Sequence, residues 1–198
     1  MRWGLFGGVF DPIHLGHVAP ARHARAALGL ERVIYLPTAR PPHKAAPVAP
    51  AHARYTMVEL ALLGEEGLYV SPFEMRDEPC YTADTVEHFR RERPEADLVL
   101  LIGADSWASF TRFRDWRRIL ARAELAVLVR PGWEAGALAP PFDRAREEGR
   151  LHFLENEPWP LSSSDLRRSL DERRKVPEGA VAPLVLDYVE KYGLYRST

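Results

Sequence analysis

Short apolar runs alternate with longer amphipathic segments along the whole chain. Most of these apolar runs are continuous, as expected of parallel strands that are covered on both faces. They predict strands at residues 2–6, 33–36, 68–70, 98–102, 125–129 and 151–154. The amphipathic segments predict helices at residues 16–28, 51–63, 82–91, 116–121, 163–170 and 180–191. Such alternation predicts an α/β fold, a doubly wound parallel sheet with helices on both faces.

Three proline-bearing segments interrupt this pattern, and none is long enough to separate domains. Residues 37–50 predict an extended loop, residues 131–141 a surface loop, and residues 155–160 a further irregular stretch. We therefore expect the 198 residues to form a single domain, with a C-terminal helical part from about residue 162 to 198.

Composition narrows the choice of partners and location. The formal net charge is −1 and no basic stripe occurs, which argues against a nucleic acid partner. No apolar run approaches the ~20 residues that span a membrane, and no signal peptide pattern is present. The single cysteine, Cys80, fits a reducing cytoplasm and makes a zinc site improbable. We expect a cytoplasmic protein without membrane contact, and no pattern assigns its oligomeric state.

The strongest candidate chemistry directly follows the first predicted strand. It is the sequence Gly7-Gly8-Val9-Phe10-Asp11-Pro12-Ile13-His14-Leu15-Gly16-His17. Ligands of doubly wound sheets bind at such strand ends, and adjacent glycines allow close approach and positive φ. Two histidines three residues apart at a helix start can face the same side and donate hydrogen bonds to a phosphate. A capping or packed pair, or a metal-binding pair, is the alternative.

A second candidate lies near the C-terminus. It is the sequence Ser162-Ser163-Ser164-Asp165-Leu166-Arg167. Serines before a helix are ordinary N-caps. A cation in the first turns of a helix is unfavourable for the helix dipole, so we interpret Arg167 as a phosphate ligand.

Both segments resemble motifs of the H-x-G-H nucleotidyltransferase superfamily. Residues 7–17 are similar to its G-G-x-F-D-P-x-H-x-G-H motif, and residues 161–167 to its I-S-S-T-x-I-R motif, with Ser164 in place of threonine. The resemblance implies a Rossmann-like fold of the nucleotidyltransferase type. It also implies Mg²⁺ bound mainly through the phosphates of ATP, with no protein metal ligand assigned. The ATP-binding residues that it implies are Gly7, Gly8, Val9, Phe10, Asp11, His14, His17, Gly103, Asp105, Ser162, Ser163 and Arg167.

Further segments resemble the nicotinate-nucleotide adenylyltransferases of that superfamily. They are Pro-Pro-His-Lys at residues 41–44, Tyr-Thr-Ala-Asp-Thr at 81–85 and Ile-Gly-Ala-Asp at 102–105. Phe113 stands where tryptophan usually stacks on the pyridine ring, and we interpret nearby Trp116 as a core residue. By this resemblance, the nicotinate nucleotide binds at Tyr81, Thr82, Phe113 and Arg114, and catalysis falls to His14, His17, Lys44 and Arg167.

The resemblance implies transfer of AMP from ATP to nicotinate mononucleotide, giving nicotinate adenine dinucleotide and pyrophosphate in the biosynthesis of NAD. Nicotinamide mononucleotide or pantetheine phosphate is the acceptor in the nearest alternatives, which are other adenylyltransferases of the superfamily. A non-catalytic nucleotide-sensing module is an alternative of a different class. RNA binding fits least, because the chain is nearly neutral.

Overall fold

A computed structural model describes residues 1–41, 46–136, 138–157 and 162–196. In these ranges six parallel strands form one sheet in the order β3-β2-β1-β4-β5-β6. They are β1 (Arg2–Gly8), β2 (Arg32–Pro37), β3 (Leu68–Val70), β4 (Asp97–Gly103), β5 (Glu124–Val129) and β6 (Leu151–Glu155). Every predicted strand is confirmed.

Helices connect these strands and follow the last one. They are α1 (Leu15–Ala27), α2 (Ala51–Leu62), α3 (Thr82–Glu92), α4 (Ala104–Ala108), α5 (Trp116–Arg122), α6 (Phe142–Glu147), α7 (Ser163–Asp171) and α8 (Pro183–Tyr192). The sequence did not predict α4, α6 or a 3₁₀ turn at Phe110–Arg112, because elements this short show no amphipathic period. No helix within the described ranges is long and apolar enough to cross a membrane.

The predicted C-terminal helix begins later than expected, at Pro183 rather than at Ala180. Proline suits the first turn of a helix, because the N–H that it lacks would have no intrahelical partner there. The helix ends at Tyr192 and is capped by Gly193, whose φ of 62° is left-handed. The sequence signals that set these two ends are therefore local ones.

The sheet buries an apolar core on each face, because successive strand residues point to opposite sides. Phe6 and Leu101 pack on one face with residues of α1, α2, α7 and α8. Leu5 and Leu100 pack on the other face with residues of α3, α5 and α6. This two-sided burial explains the continuous apolar runs and confirms the doubly wound fold.

The strand order reverses between β1 and β4, which pair directly. From β1 the chain proceeds to β2 on one side of the sheet, and from β4 to β5 on the other. Such a switch point leaves a crevice at the carboxyl ends of the two strands, here at Gly8 and Gly103. The first predicted motif therefore begins where this fold binds its ligands.

Candidate active site

The turn after β1 brings His14 and His17 together at the start of α1. Their ring centroids are 4.0 Å apart, which confirms that the spacing places them on one side. His14 Nδ1 accepts a hydrogen bond from the N–H of Gly16 at 3.1 Å, and His17 Nδ1 accepts one from the N–H of His14 at 3.3 Å. This reciprocal capping box occupies Nδ1 of both rings. In the neutral form each ring therefore carries its proton on Nε2 and donates from that atom.

Burial decides the charge of the first of these rings. Only 7 % of His14 is exposed, and burial lowers its pKa to about 4. The ring is thus neutral at pH 7 and presents an N–H donor without adding a full charge. Capping and phosphate binding are compatible functions here, since capping fixes which nitrogen donates.

We expect the free energy of unfolding to fall as the pH is lowered from about 6.5 towards 4. The unfolded state protonates His14 at its ordinary pKa, whereas the folded state resists protonation until about pH 4. The loss of unfolding free energy is absent above about pH 6.5 and complete well below pH 4, and it amounts to ~3 kcal/mol. Urea unfolding across this interval measures it, with His14→Asn as the control that keeps a cap acceptor without titrating. An equal pH dependence in both proteins would contradict the assignment.

The two glycines of the turn serve it in different ways. A Cβ at Gly7 would meet no atom within 4 Å, so the backbone there is open to a ligand. A Cβ at Gly8 would lie 2.7 Å from the ring of Phe10, so glycine allows that ring to pack. Neither glycine uses the positive φ that glycine allows, whereas Phe10 has a φ of 50°. The side chain of Phe10 is buried in the core, so only its backbone remains as a candidate ligand contact.

Asp11 lies beneath the turn, where protein donors occupy its carboxylate. Only 5 % of the residue is exposed. The oxygens accept hydrogen bonds from the N–H of Val48 at 2.7 Å, the N–H of Ala49 at 3.1 Å and the hydroxyl of Tyr195 at 2.8 Å. This arrangement makes Asp11 a residue that shapes the turn rather than one whose side chain faces a ligand.

The start of α7 contacts the same turn from the opposite end of the chain. Arg167 Nη1 donates to the carbonyl of Asp11 at 2.6 Å, and the hydroxyl of Ser163 donates to the carbonyl of Pro12 at 3.1 Å. Ser162 is the N-cap of the helix, as the local pattern predicts. The structure thus brings the second predicted motif to the first, and the Arg167 side chain stays 28 % exposed.

A cleft of about 550 Å³ opens at the carboxyl ends of β1 and β4, a volume typical of small-ligand sites. The predicted residues on its walls are Gly7, Gly8, Val9, Tyr81, Thr82, Gly103, Asp105, Phe113 and Arg114. Helix α3 begins at Thr82, so the positive end of its dipole lies at this cleft. Arg114 adds a second positive group, with its guanidinium 4.6 Å from the ring centroid of Tyr81.

Two aromatic residues, Tyr81 and Phe113, line the cleft. Phe113 is half-buried there, with its ring centroid 5.4 Å from that of Phe110. Trp116 instead stacks on Phe142 at 5.4 Å and packs against the core, which confirms its interpretation as a core residue. Of Phe113 and Trp116, only Phe113 is among the residues that line the cleft.

The remaining predicted site residue, Lys44, lies outside the residues that the structure describes. Among those it does describe, no three His, Cys, Asp or Glu side chains group in a way that would hold a metal ion. The groups at the turn are imidazole and guanidinium donors, which suit phosphate oxygens. They fit a metal that arrives with a phosphate ligand better than one held by the protein.

Two buried charged residues that the sequence reasoning missed support the cleft. Arg54 is 1 % exposed and donates to the carbonyls of Val9 at 2.7 Å and Thr38 at 2.9 Å. Glu74 accepts hydrogen bonds from the hydroxyls of Thr38 at 2.6 Å and Thr85 at 2.7 Å. Burial raises the pKa of Glu74, and the two threonine hydrogen bonds act against that shift. Together they fix the ends of β1 and β2 and the first turn of α3.

The position of Arg54, unlike that of Glu74, could have been recognised from the sequence. Arg54 precedes Met57 by three positions and Val58 by four, which places it on the apolar face of α2. A charged residue on that face requires internal partners, which here are backbone carbonyls. Glu74 lies in an irregular segment between β3 and α3, where no periodicity marks it.

The chain is similar over nearly its whole length to known proteins. Residues 5–169 match the cytidylyltransferase-like family. A probable nicotinate-nucleotide adenylyltransferase of Laribacter hongkongensis is 41 % identical over 208 residues, covering 98 % of this chain and 94 % of that protein. Another, of Thermus thermophilus, is 41 % identical over 197 residues, covering 99 % of this chain and 100 % of that protein.

Solved structures show the same fold. The nicotinic acid mononucleotide adenylyltransferase of Plasmodium falciparum, complexed with APC, superposes with a TM-score of 0.77 at 15 % identity, covering 98 % of this chain and 96 % of that one. The same enzyme complexed with NaAD gives a TM-score of 0.76 at 16 % identity, covering 98 % and 97 %. This likeness confirms the Rossmann-like fold of the nucleotidyltransferase type.

Proposed function

This chain belongs to the cytidylyltransferase-like family and, within it, to the nicotinate-nucleotide adenylyltransferases, and we propose that it transfers AMP from ATP to nicotinate mononucleotide in NAD biosynthesis. The products are nicotinate adenine dinucleotide and pyrophosphate. The observation that carries the proposal is the turn after β1. It begins at Gly7, Gly8 and Val9 on the wall of the cleft of about 550 Å³, accepts a hydrogen bond from Arg167 at the Asp11 carbonyl, and ends at the paired imidazoles of His14 and His17, which lie beyond the cleft-lining residues.

The proposed reaction needs no general base, because the attacking group is a phosphate that is already an anion at neutral pH. One of its oxygens bonds to the α-phosphorus of ATP, and the bond from that phosphorus to the pyrophosphate oxygen breaks. The protein then has to place two anions in line and stabilise the charge that develops. His14 and His17 donate to the ATP phosphates from Nε2, and Arg167 binds the β- and γ-phosphates. Lys44 supplies a further cation in this proposal.

Mg²⁺ enters the proposal as an ion bound mainly through the phosphates of ATP, which is a common way for proteins to hold it. When bound, it neutralises phosphate charge and makes pyrophosphate a better leaving group. Asp11 is the carboxylate of the motif, and three protein donors already occupy its oxygens. We therefore propose that Asp11 maintains the conformation of the turn and that the phosphates of ATP, rather than Asp11, bind the metal.

The cleft suggests where each substrate lies. We place the ATP moiety along Gly7, Gly8, Val9, Gly103 and Asp105, at the ends of the two central strands. The nicotinate ring lies against Phe113 in this proposal, near Tyr81 and Thr82. Its carboxylate faces the start of α3 and the guanidinium of Arg114, because both are positive.

We expect kcat/KM to be at least about tenfold higher for nicotinate mononucleotide than for nicotinamide mononucleotide. Only the nicotinate form offers a carboxylate to the positive wall of the cleft. Pyrophosphate release with Mg-ATP measures both constants. Arg114→Gln should reduce the ratio of the two kcat/KM values. Arg117→Gln should leave that ratio unchanged, because Arg117 is an exposed neighbour that stacks on Trp116.

Other results of this assay would support the alternatives. Faster reaction with the amide form would replace the proposed acceptor and leave adenylyl transfer standing. Reaction with pantetheine phosphate alone would assign a different member of the superfamily. Binding of ATP without pyrophosphate release from any acceptor would indicate a nucleotide-sensing module.

We further propose that residues 1–198 act as one nucleotidyltransferase domain in the cytoplasm. Helices α7 and α8 pack on the same core as α1 and α2, which supports a C-terminal part that belongs to the domain. ATP is abundant in the cytoplasm, and a lone thiol such as Cys80 is common there.

A further inference from the structure

A hydrogen bond joins the end of the chain to the turn that precedes the histidines. The hydroxyl of Tyr195 donates to Oδ1 of Asp11 at 2.8 Å, across a separation of 184 residues. We propose that Tyr195 is a positioning residue for adenylyl transfer, which holds the Asp11 carboxylate so that Arg167 stays available to the phosphates of ATP. This inference rests on the proposed function.

Three neutral donors fix the carboxylate of Asp11. The N–H of Val48 occupies Oδ2 at 2.7 Å, and the N–H of Ala49 shares Oδ1 at 3.1 Å with the hydroxyl of Tyr195. Because donors approach both oxygens, the plane of the carboxylate is set from two sides. Tyr195 is the one side-chain donor among the three, so it can be removed without altering the backbone.

Arg167 lies close to this carboxylate without forming a hydrogen bond to it. Its Nη1 is 3.9 Å from Oδ2 of Asp11, and donates instead to the backbone carbonyl of Asp11 at 2.6 Å. A buried carboxylate that loses a neutral donor is stabilised by a replacement, and among the described residues the charged donor nearest to it is this guanidinium. Loss of the tyrosine hydroxyl would therefore draw Arg167 towards Asp11 and away from a bound phosphate.

The surroundings of Tyr195 keep it a donor. Only 8 % of the residue is exposed, and burial, reinforced by the charge of Asp11, raises the pKa of its hydroxyl. Its backbone is left-handed, with a φ of 64°. Such a conformation is costly for a residue with a Cβ, and persists where the surrounding contacts require it. The turn after α8 thus brings this one side chain back to the active site.

The test is the variant Tyr195→Phe, which removes only the hydroxyl. We expect kcat/KM for Mg-ATP to fall about tenfold, while KM for nicotinate mononucleotide stays within about twofold, because Asp11 is not among the residues that line the cleft. Tyr192→Phe is the matched control, since Tyr192 is 59 % exposed and precedes Tyr195 by only three positions. It should leave both constants unchanged.

A double variant separates positioning from general destabilisation. In an Arg167→Ala background, Tyr195→Phe should change kcat/KM for Mg-ATP little further, since the residue through which Tyr195 acts is gone. Equal losses for both substrates, or losses that add in the double variant, would overturn the inference. Wild-type activity in Tyr195→Phe would also overturn it and leave the proposed function standing.

Calorimetric titration with Mg-ATP tests the inference even if the wild-type protein proves to be inactive. If the wild-type protein transfers no AMP to nicotinate mononucleotide, the proposed function fails on its own. Weaker binding of Mg-ATP in Tyr195→Phe, with unchanged binding in Tyr192→Phe, would still support positioning of the phosphate site by Tyr195. Equal binding in the two variants would overturn it.

Discussion

Replacing His17 by alanine is expected to lower kcat by at least about 100-fold. The ring donates from Nε2, because its Nδ1 accepts a hydrogen bond from the N–H of His14. A donor aimed at charge that develops on the phosphates acts more strongly in the transition state than in the ground state. The loss should therefore appear in kcat, measured as pyrophosphate release at saturating Mg-ATP and nicotinate mononucleotide.

Alanine also removes one of the two acceptors of the capping box, so two further variants separate the loss of the cap from the loss of the donor. His17→Asn keeps an acceptor near the position of Nδ1 and lacks the distant donor, so it should fold normally and remain slow. His17→Gln places an amide N–H near the position of Nε2 and should recover part of the activity. A folded alanine variant with nearly normal kcat would contradict the assigned role of His17.

The sequence predicted the sheet well because two-sided burial requires every central strand to be apolar along its length. Even β3, with three residues, was found at its predicted bounds. The same reasoning failed for α4 and α6, whose five and six residues are too few to display a helical period. Among the helices, therefore, length decided which ones were predictable, whereas a strand of three residues was already marked by its apolar run.

The candidate site was predictable where its residues are neighbours in sequence. His14 and His17 share a helix start, and the capping box that sets their tautomers is a local interaction. The function of Asp11 was not predictable in this way, because its partners at Val48 and Tyr195 are distant in sequence. Hydrogen bonds of this kind follow from the packing of the whole fold, and a single sequence carries no pattern for them.

Asp11 and Arg54 are buried charged residues that support the backbone around the proposed phosphate site. Arg54 holds the backbone carbonyls at the ends of β1 and β2. Asp11 accepts hydrogen bonds from the N–H groups of Val48 and Ala49 and from the hydroxyl of Tyr195. Neither side chain needs to touch a substrate, yet each fixes backbone that does in our proposal. A few donors, namely His14, His17 and Arg167, can then suffice in our proposal, because the backbone around them is held rigidly.

Replacing Arg167 by alanine is expected to lower kcat/KM for Mg-ATP by about 100-fold. Nη1 of its guanidinium donates to the Asp11 carbonyl and Nη2 to the Ser164 hydroxyl at 3.2 Å. The side chain stays 28 % exposed, so we expect its remaining N–H groups to bind phosphate oxygens. Arg167→Lys should recover only part of the loss, because a lysine retains the charge and not the planar pair of donors. Initial rates at varied Mg-ATP and constant nicotinate mononucleotide measure the effect.

Arg168→Ala is the matched control, because Arg168 is exposed and adjacent on the same helix. It removes the same net charge, so any loss due only to the overall field of the protein would appear in both variants. Equal losses at the two positions would therefore contradict a specific contact with ATP. A loss confined to Arg167, in a protein whose Tm stays near that of the wild type, would leave that guanidinium as the group that recognises the phosphates.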